Sequence, residues 1–302
     1  MNHLTFQPNN HTHPKMKNTR RDFLKTAGLV TAGTMTGFSF LQGCKPATLN
    51  PLKDIGIIGT IREEIKKDWK SALTQLAEIG YKYIESATIF GDDLAAYKQF
   101  LKEIGLSHVA GGMGVSAFLE DNPFTEFVNK AHDLEFSYAV TYWPWLTDAM
   151  NITLDELKET ADRLNKIGER CHKEGLSFVF HNHDKEFWPV AGDTIPFDYL
   201  LSNTDPDFVK VEIDLYWIHK GNDEPLHYFE KFPGRFPLVH VKDMDNTEER
   251  SFACVGDGII DFPAIFEKAE LAGFKHLIVE HDNPENGMEC ARTSWNYLQS
   301  IL

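Results

Sequence analysis

Short apolar runs alternate with longer amphipathic segments along this chain from residue 55 to its end. Residues 176–180 are apolar without alternation and follow Gly175, which is typical of a strand buried on both faces of a parallel sheet. The pattern predicts eight strands, at residues 55–60, 81–85, 106–110, 136–142, 176–180, 208–213, 237–241 and 276–279. Helical spacing of apolar residues predicts helices at residues 68–79, 93–104, 123–134, 153–174, 196–202, 225–231, 262–272 and 288–302.

Eight strand–helix units in about 250 residues predict an α/β fold, a single (β/α)8 TIM barrel over residues 53–302. A doubly wound sheet is the alternative, but it rarely places functional residues on so many consecutive strands. Gly56 and Gly59 after the first strand lack the spacing of a dinucleotide-binding fingerprint, so no nucleotide cofactor is expected.

The first 44 residues do not follow the strand–helix pattern. Arg20 and Arg21 precede an uncharged stretch at residues 26–42, the layout of an export signal, and the arginine pair resembles the twin-arginine type. Residues 41–44 resemble a lipobox, in which Cys44 would be lipidated. We expect an exported protein, either periplasmic or lipid-anchored to the membrane. The expected divisions are an export signal at 1–44, a linker at 45–52 and a catalytic barrel at 53–302.

The charge of the chain limits its partners. The formal net charge is −15, and residues 1–43 hold five basic residues and one acid, so the remainder carries −19. An acidic body of this kind repels nucleic acid and anionic membranes, because phosphate binding requires clustered Lys and Arg. We therefore expect no nucleic acid as partner, and membrane contact only through the signal or a lipid anchor. Homo-oligomerisation is left open.

Three cysteines follow Cys44, namely Cys171, Cys254 and Cys290. Their odd number and the lack of a Cys-x-x-Cys pair argue against a disulfide framework or a thiolate zinc site. We expect all three to be free, unreactive thiols.

Four consecutive strands, the fifth to the eighth, each end in a residue type that binds metal. Parallel strands in a barrel bring their carboxyl ends to one face, so these side chains are expected to meet. Taken singly, a lone His is more often a core or surface residue, and a strand-end Asp often caps the next helix. Taken together, a His, Asp, His and Glu set suits a divalent cation, manganese first, with cobalt, zinc, iron or magnesium as alternatives. The four residues are His181, Asp214, His240 and Glu280.

Four segments carry a resemblance to a known family: Val-Glu-Ile-Asp at 211–214, His-Val-Lys-Asp at 240–243, the loop at 255–262, and Ile-Val-Glu at 278–280. The chain resembles the xylose-isomerase-like sugar isomerase/epimerase superfamily over residues 53–302. This resemblance implies four metal ligands, usually Glu, Asp, His and Glu, at the ends of strands five to eight.

The resemblance covers three of those ligands, Asp214, His240 and Glu280, and departs at the first. His181 stands where the family has a glutamate, so either His181 or Glu186 would fill the fourth ligand position. The family's two-glutamate proton shuttle is therefore not preserved. This departure makes elimination a rival to epimerisation.

A site of this kind would remove a proton from a sugar carbon beside a carbonyl and stabilise the resulting enediolate electrostatically. We expect Glu280 and His183 to carry the proton and Lys242 to act as an electrophile or hydroxyl donor. Four further residues are expected to bind substrate, with barrel-mouth packing or ion pairing as their alternative roles. They are Glu85, Trp143, Glu186 and Trp217.

The leading hypothesis is a metal-dependent isomerase or epimerase that acts on a non-phosphorylated keto-sugar or 3-keto-glycoside through an enediolate. The alternatives are a 3-keto-glycoside lyase using the same residues and a non-catalytic sugar-binding lipoprotein. Apurinic endonucleases share the superfamily, but they require a basic DNA-binding face, and a charge of −19 after residue 43 argues strongly against one.

Overall fold

The computed structural model describes residues 52–190 and 192–302, so the expected export signal and the expected lipobox with Cys44 lie outside the described part. Eight parallel strands close into a barrel in the order β1-β10-β7-β6-β5-β4-β3-β2, which confirms the predicted (β/α)8 barrel. The barrel strands are β1 (Gly56–Ile58), β2 (Tyr83–Glu85), β3 (Ser107–Gly112), β4 (Tyr138–Thr141), β5 (Ser177–His181), β6 (Val209–Asp214), β7 (Leu238–Val241) and β10 (His276–Glu280). An antiparallel hairpin, not predicted from the sequence, follows β7 and consists of β8 (Asp243–Met244) and β9 (Phe252–Ala253).

Helices connect the strands around the outside of the barrel. They are α1 (Arg62–Ile79), α2 (Leu94–Ile104), α3 (Asp121–Leu134), α4 (Leu154–Lys173), α5 (Pro196–Asn203), α6 (Leu215–Lys220), α7 (Pro225–Lys231), α8 (Phe262–Phe266), α9 (Ala269–Ala272) and α10 (Gly287–Ile301). Asp93 and Thr153 cap α2 and α4 by accepting hydrogen bonds from the backbone N–H groups of Ala96 and Glu156. The single helix predicted at 262–272 is two short helices. No helix in the described ranges is long and apolar enough to cross a bilayer.

The interior of the barrel changes from apolar to polar along the strands. Val179, Leu238 and Ile278 belong to a buried apolar cluster inside the barrel. Side chains two residues apart on a strand share a face, so the residues two positions later also point inward, at the carboxyl end. These inward residues are His181, His240 and Glu280.

Two of the three thiols are paired, contrary to the expectation from the sequence. Cys254 and Cys290 form a disulfide with their Cα atoms 5.3 Å apart, although 36 positions separate them in sequence. An odd number of cysteines in the sequence does not indicate which of them the fold brings together. Cys171 is free and buried, and burial raises its pKa to about 12, so the expected unreactive thiol is confirmed there.

Candidate active site

The structure brings the four predicted ligand residues together at the carboxyl end of the barrel. One ligand atom from each of them lies within 4.8 Å of every other. Three of the four are almost fully buried, and Glu280 is 13% exposed at its side chain. The residues are His181 from β5, Asp214 from β6, His240 from β7 and Glu280 from β10.

His240 connects two layers of carboxylates. Its Nδ1 lies 3.0 Å from Oε2 of Glu280, on the cavity side, and 4.0 Å from Oδ2 of Asp214. Its Nε2 lies 3.2 Å from Oε2 of Glu85 and 3.3 Å from Oε2 of Glu212. A cation among the four ligand residues would therefore meet Nδ1, while a carboxylate beneath holds the ring through Nε2.

Glu212 also holds the second histidine. Oε2 of Glu212 lies 3.2 Å from Nδ1 of His181, whose Nε2 is directed toward Oδ2 of Asp214 at 3.8 Å. A carboxylate that accepts a hydrogen bond from the far nitrogen of a metal-binding histidine sets the tautomer and orientation of the ring. Glu212 was not predicted from the sequence. Strand alternation could have found it, because Glu212 precedes Asp214 by two positions on β6 and so faces inward.

Asp214 serves as a helix cap and as a candidate ligand at once. Oδ1 of Asp214 accepts a 2.8 Å hydrogen bond from the backbone N–H of Trp217 and so caps α6. Its other oxygen, Oδ2, is buried without a hydrogen-bond partner. An orphaned carboxylate oxygen aimed into a cluster of histidine and carboxylate groups is what a divalent cation would satisfy, so the residues fit a metal.

The electrostatics of the cluster also favour a cation. Burial raises the pKa of Asp214 to about 7, and burial together with the Glu85 carboxylate raises the pKa of Glu212 well above its usual value. Burial also disfavours the charged form of Glu280, but His240 and Lys242 overcome that effect and hold its pKa well below the usual range. Such a concentration of buried carboxyl groups is stabilised by positive charge.

Lys242 supplies positive charge at the edge of the cluster. Its Nζ lies 3.2 Å from Oε2 of Glu280 and 2.7 Å from Oδ2 of Asp282. Burial by itself lowers the pKa of Lys242, but the carboxylates of Asp214, Glu280 and Asp282 raise it above its usual value. The ammonium is therefore held in its charged form, facing the cavity.

A cavity of about 260 Å³ lies above the four ligand residues. His183 lines it, packed between the rings of Trp143 at 5.2 Å and Trp217 at 5.1 Å. Burial, and then the nearby Lys242, lower the pKa of His183 to about 4, so its imidazole is neutral at pH 7. Nδ1 of His183 is buried without a hydrogen-bond partner. The cavity walls are completed by Ile58, Arg62, Tyr142 and Asp282 beside Lys242 and Glu280.

Several predicted site residues lie elsewhere. Glu186 is buried outside the ligand cluster, where its carboxylate accepts hydrogen bonds from the indole of Trp145 and the backbone N–H of His183. Glu85 is buried beneath the ligands, and its Oε1 accepts a 2.6 Å hydrogen bond from the Tyr142 hydroxyl. Trp143 contacts His183 but is not among the residues that line the cavity; Trp217 lines it directly.

Three polar cavity residues were not predicted from the sequence: Arg62, Tyr142 and Asp282. Arg62 donates to the backbone carbonyl of Asp282 at 3.4 Å, which joins the loop after β1 to the loop after β10. No motif marks these residues. Their common signal is a position within four residues after a barrel strand, at the end where TIM-barrel sites form.

Comparison with known proteins agrees with the fold. Residues 73–301 match the model of the xylose isomerase-like TIM barrel family. The inosose dehydratase of Lacticaseibacillus casei is 23% identical over 276 residues, covering 78% of this chain and 90% of that protein. A solved sugar phosphate isomerase/epimerase of Parabacteroides distasonis is 26% identical with a TM-score of 0.69, covering 82% of this chain and 93% of that chain. The probable 3-DHS dehydratase of Bacillus anthracis shares the fold at 13% identity, with a TM-score of 0.63 and coverage of 82% and 98%.

Proposed function

The chain belongs to the xylose isomerase-like TIM barrel family, and we propose that it is a divalent-metal-dependent lyase acting on a 3-keto-glycoside or a related non-phosphorylated keto-sugar. The enzyme would remove a proton from the carbon beside the ketone and expel the group on the next carbon. The relatives and neighbours of the chain include dehydratases as well as an isomerase/epimerase, so both outcomes occur on this fold.

One observation carries the choice of elimination. Epimerisation with two bases needs a second proton carrier on the opposite face of the substrate, a role that the family gives to a glutamate. In this chain His181 holds that position, and its two ring nitrogens face Glu212 and Asp214. Glu212 therefore holds Nδ1 of His181, and its Nε2 points among the candidate metal ligands, so His181 would serve as a ligand and not as a proton carrier. Elimination needs only one base and one acid, which this cavity supplies.

The roles of the protein groups follow from their positions. His181, Asp214, His240 and Glu280 would hold the cation. When bound, a divalent cation would polarise the ketone and offset the negative charge that develops on its oxygen. His183 and Glu280 line the cavity and are the candidates to accept the proton; Lys242, held charged, can donate a proton to the departing oxygen.

Nuclear magnetic resonance in deuterated water tests this proposal. Metal-reconstituted protein is incubated with a 3-keto-glucoside and with simple ketoses, and we expect release of the aglycone. Deuterium in recovered substrate without loss of the aglycone would instead identify an epimerase or isomerase, the second candidate. Glu280→Gln should remove bound metal and turnover together. Sugar binding that survives both this change and a chelator would favour a non-catalytic binding protein.

A non-phosphorylated substrate and an exported enzyme are linked in this proposal. The leader at 1–44 supports export, and the Cys254–Cys290 disulfide is typical of an oxidising compartment. Sugar phosphates are scarce there. Fractionation of cells that express the full chain tests localisation, and Cys44→Ser tests the lipid anchor. Recovery in the cytoplasm, or faster turnover of a phosphorylated analogue, would contradict this part.

A further inference from the structure

A second and larger cavity adjoins the candidate active site. Its volume is about 560 Å³, against about 260 Å³ for the cavity above the four ligand residues. Both cavities are lined by Ile58, Arg62 and Tyr142, so they meet along a common wall. Glu85, beneath His240, also lines the larger cavity. The larger cavity thus begins where the first one ends.

The walls of the larger cavity are mainly hydrocarbon. They come from the loop after β1, the start of α1 and the loop after β2. Its apolar lining includes Ile58, Ile61, Ile65, Ala87 and Phe90. The charged lining residues are Arg62, Lys66, Glu85 and Lys130. A pocket of 300–1,000 Å³ with apolar walls and few polar groups is the usual form of a site for an organic ligand.

A break in α1 lies beside this cavity. Asp68 has an extended conformation, with φ −156° and ψ 93°, so α1 is broken after its first turns. The residues before the break form a separate helical segment at the cavity wall, to which Ile61 and Ile65 contribute. Phe90 is held in place by stacking on Trp69, at a ring separation of 6.0 Å. The packing of Phe90 against Trp69 therefore gives this part of the cavity wall a defined position.

We propose that this second cavity binds an apolar, aromatic aglycone of the substrate whose keto-sugar ring lies at the metal ligands. The inference rests on the proposed function. In the elimination, the bond from C2 to hydrogen breaks, a C1–C2 double bond forms, and the bond from C1 to the aglycone oxygen breaks. The proton from C2 goes to the base, and the aglycone leaves as an alcohol or phenol after receiving a proton. No oxidant or reductant is consumed.

The chemistry places the aglycone next to the ligand cluster. C1 is bonded to the carbon that loses its proton, so the leaving group departs one bond from the reacting centre. The 260 Å³ cavity lies below the usual size for a whole glycoside ligand, so the aglycone needs further space. The larger cavity is the adjoining space with shared walls, and its hydrocarbon lining matches an aromatic group better than a second sugar.

Ala87→Phe tests the inference by filling the cavity with a ring. For phenyl 3-keto-glucoside we expect kcat/KM to fall about 30-fold, mainly through KM, because apolar surface at the aglycone is no longer buried. For methyl 3-keto-glucoside the change should be less than about threefold on the same reasoning. Ala95→Phe, on the exposed part of α2, is the matched control and should affect neither substrate. Ile65→Asn, which makes the wall polar without filling it, should also disfavour the phenyl substrate.

The inference is overturned if Ala87→Phe has the same melting temperature as the native protein but lowers kcat/KM equally for both substrates, or changes it for neither. It is also overturned if a phosphorylated glycoside is preferred and that preference disappears in Lys66→Ala. Should neither 3-keto-glucoside be turned over, binding of unreactive phenyl and methyl glucosides decides the matter. Tighter binding of phenyl glucoside that Ala87→Phe abolishes would uphold the cavity assignment although the proposed reaction has failed.

Discussion

Replacing Glu212 with glutamine should weaken binding of a divalent metal about 100-fold while leaving the fold intact. The carboxylate of Glu212 lies 3.2 Å from Nδ1 of His181 and 3.3 Å from Nε2 of His240. It therefore orients both candidate histidine ligands at once. Removing one such outer carboxylate typically costs 10-fold to 100-fold in metal affinity. Since Glu212 orients both histidine rings, we expect the loss of metal affinity to lie at the upper end of this range. A 100-fold loss corresponds to about 2.7 kcal/mol of binding free energy, at 1.36 kcal/mol per factor of ten.

The same substitution should not destabilise the protein. Glu212 is fully buried and its Oε1 has no hydrogen-bond partner, so the carboxylate is an unfavourable group in the absence of a cation. Glutamine keeps the shape and removes the ionisable group. We expect an unfolding free energy equal to or higher than that of the native chain when a chelator is present.

Competition with a chromophoric chelator measures the metal affinity, and circular dichroism melts measure the stability. Glu186→Gln is the matched control, because Glu186 is an equally buried glutamate that accepts hydrogen bonds from the indole N–H of Trp145 and the backbone N–H of His183. It should leave metal affinity within about threefold, since its carboxylate holds neither ligand histidine. If Glu212→Gln binds metal as tightly as the native chain, the inferred orientation of the two histidines is wrong.

Three further predictions concern stability. Cys254→Ser should lower the unfolding free energy by about 4 kcal/mol, because the disulfide closes a loop with a separation of 36 residues; equal melting temperatures with and without reductant would contradict this. Burial lowers the pKa of His108 to about 4, so its contribution is present above pH 6.5 and is lost as the pH falls toward 4. Between pH 6.5 and 4.5 the native chain should lose about 2 kcal/mol more than His108→Gln in urea unfolding, and parallel pH profiles would refute the assignment. Gly80→Ala should lower the unfolding free energy by about 3 kcal/mol, because a Cβ at this position, where φ is +129°, would lie 2.3 Å from the Trp295 ring. Gly105→Ala, where φ is +73° and the space is open, is the control and should cost about 1 kcal/mol. Similar denaturation midpoints for the two variants would show that the Trp295 ring moves aside.

The sequence determined the barrel and the side of it on which the candidate site lies. The period of the apolar residues is a local property, and each strand–helix unit has to bury its own apolar face, so eight units were visible without coordinates. The strand ends at His181, Asp214, His240 and Glu280 were visible for the same reason. Parallel connection then places all strand ends on one face, whatever the details of packing. Glu212 was equally accessible through strand alternation.

Only the tertiary structure decided which side chains make contact. Glu186 is near the candidate ligand His181 in sequence, but its carboxylate accepts hydrogen bonds from the indole of Trp145, 41 positions away, and from the backbone N–H of His183. Cys254 and Cys290 pair because α10 returns beside the hairpin. The cavity beside Ala87 is lined by residues from both sides of the break in α1 at Asp68 and from the loop after β2, which are remote from one another in sequence. Distances between segments remote in sequence depend on barrel closure, loop paths and rotamers, and the local apolar pattern constrains none of these.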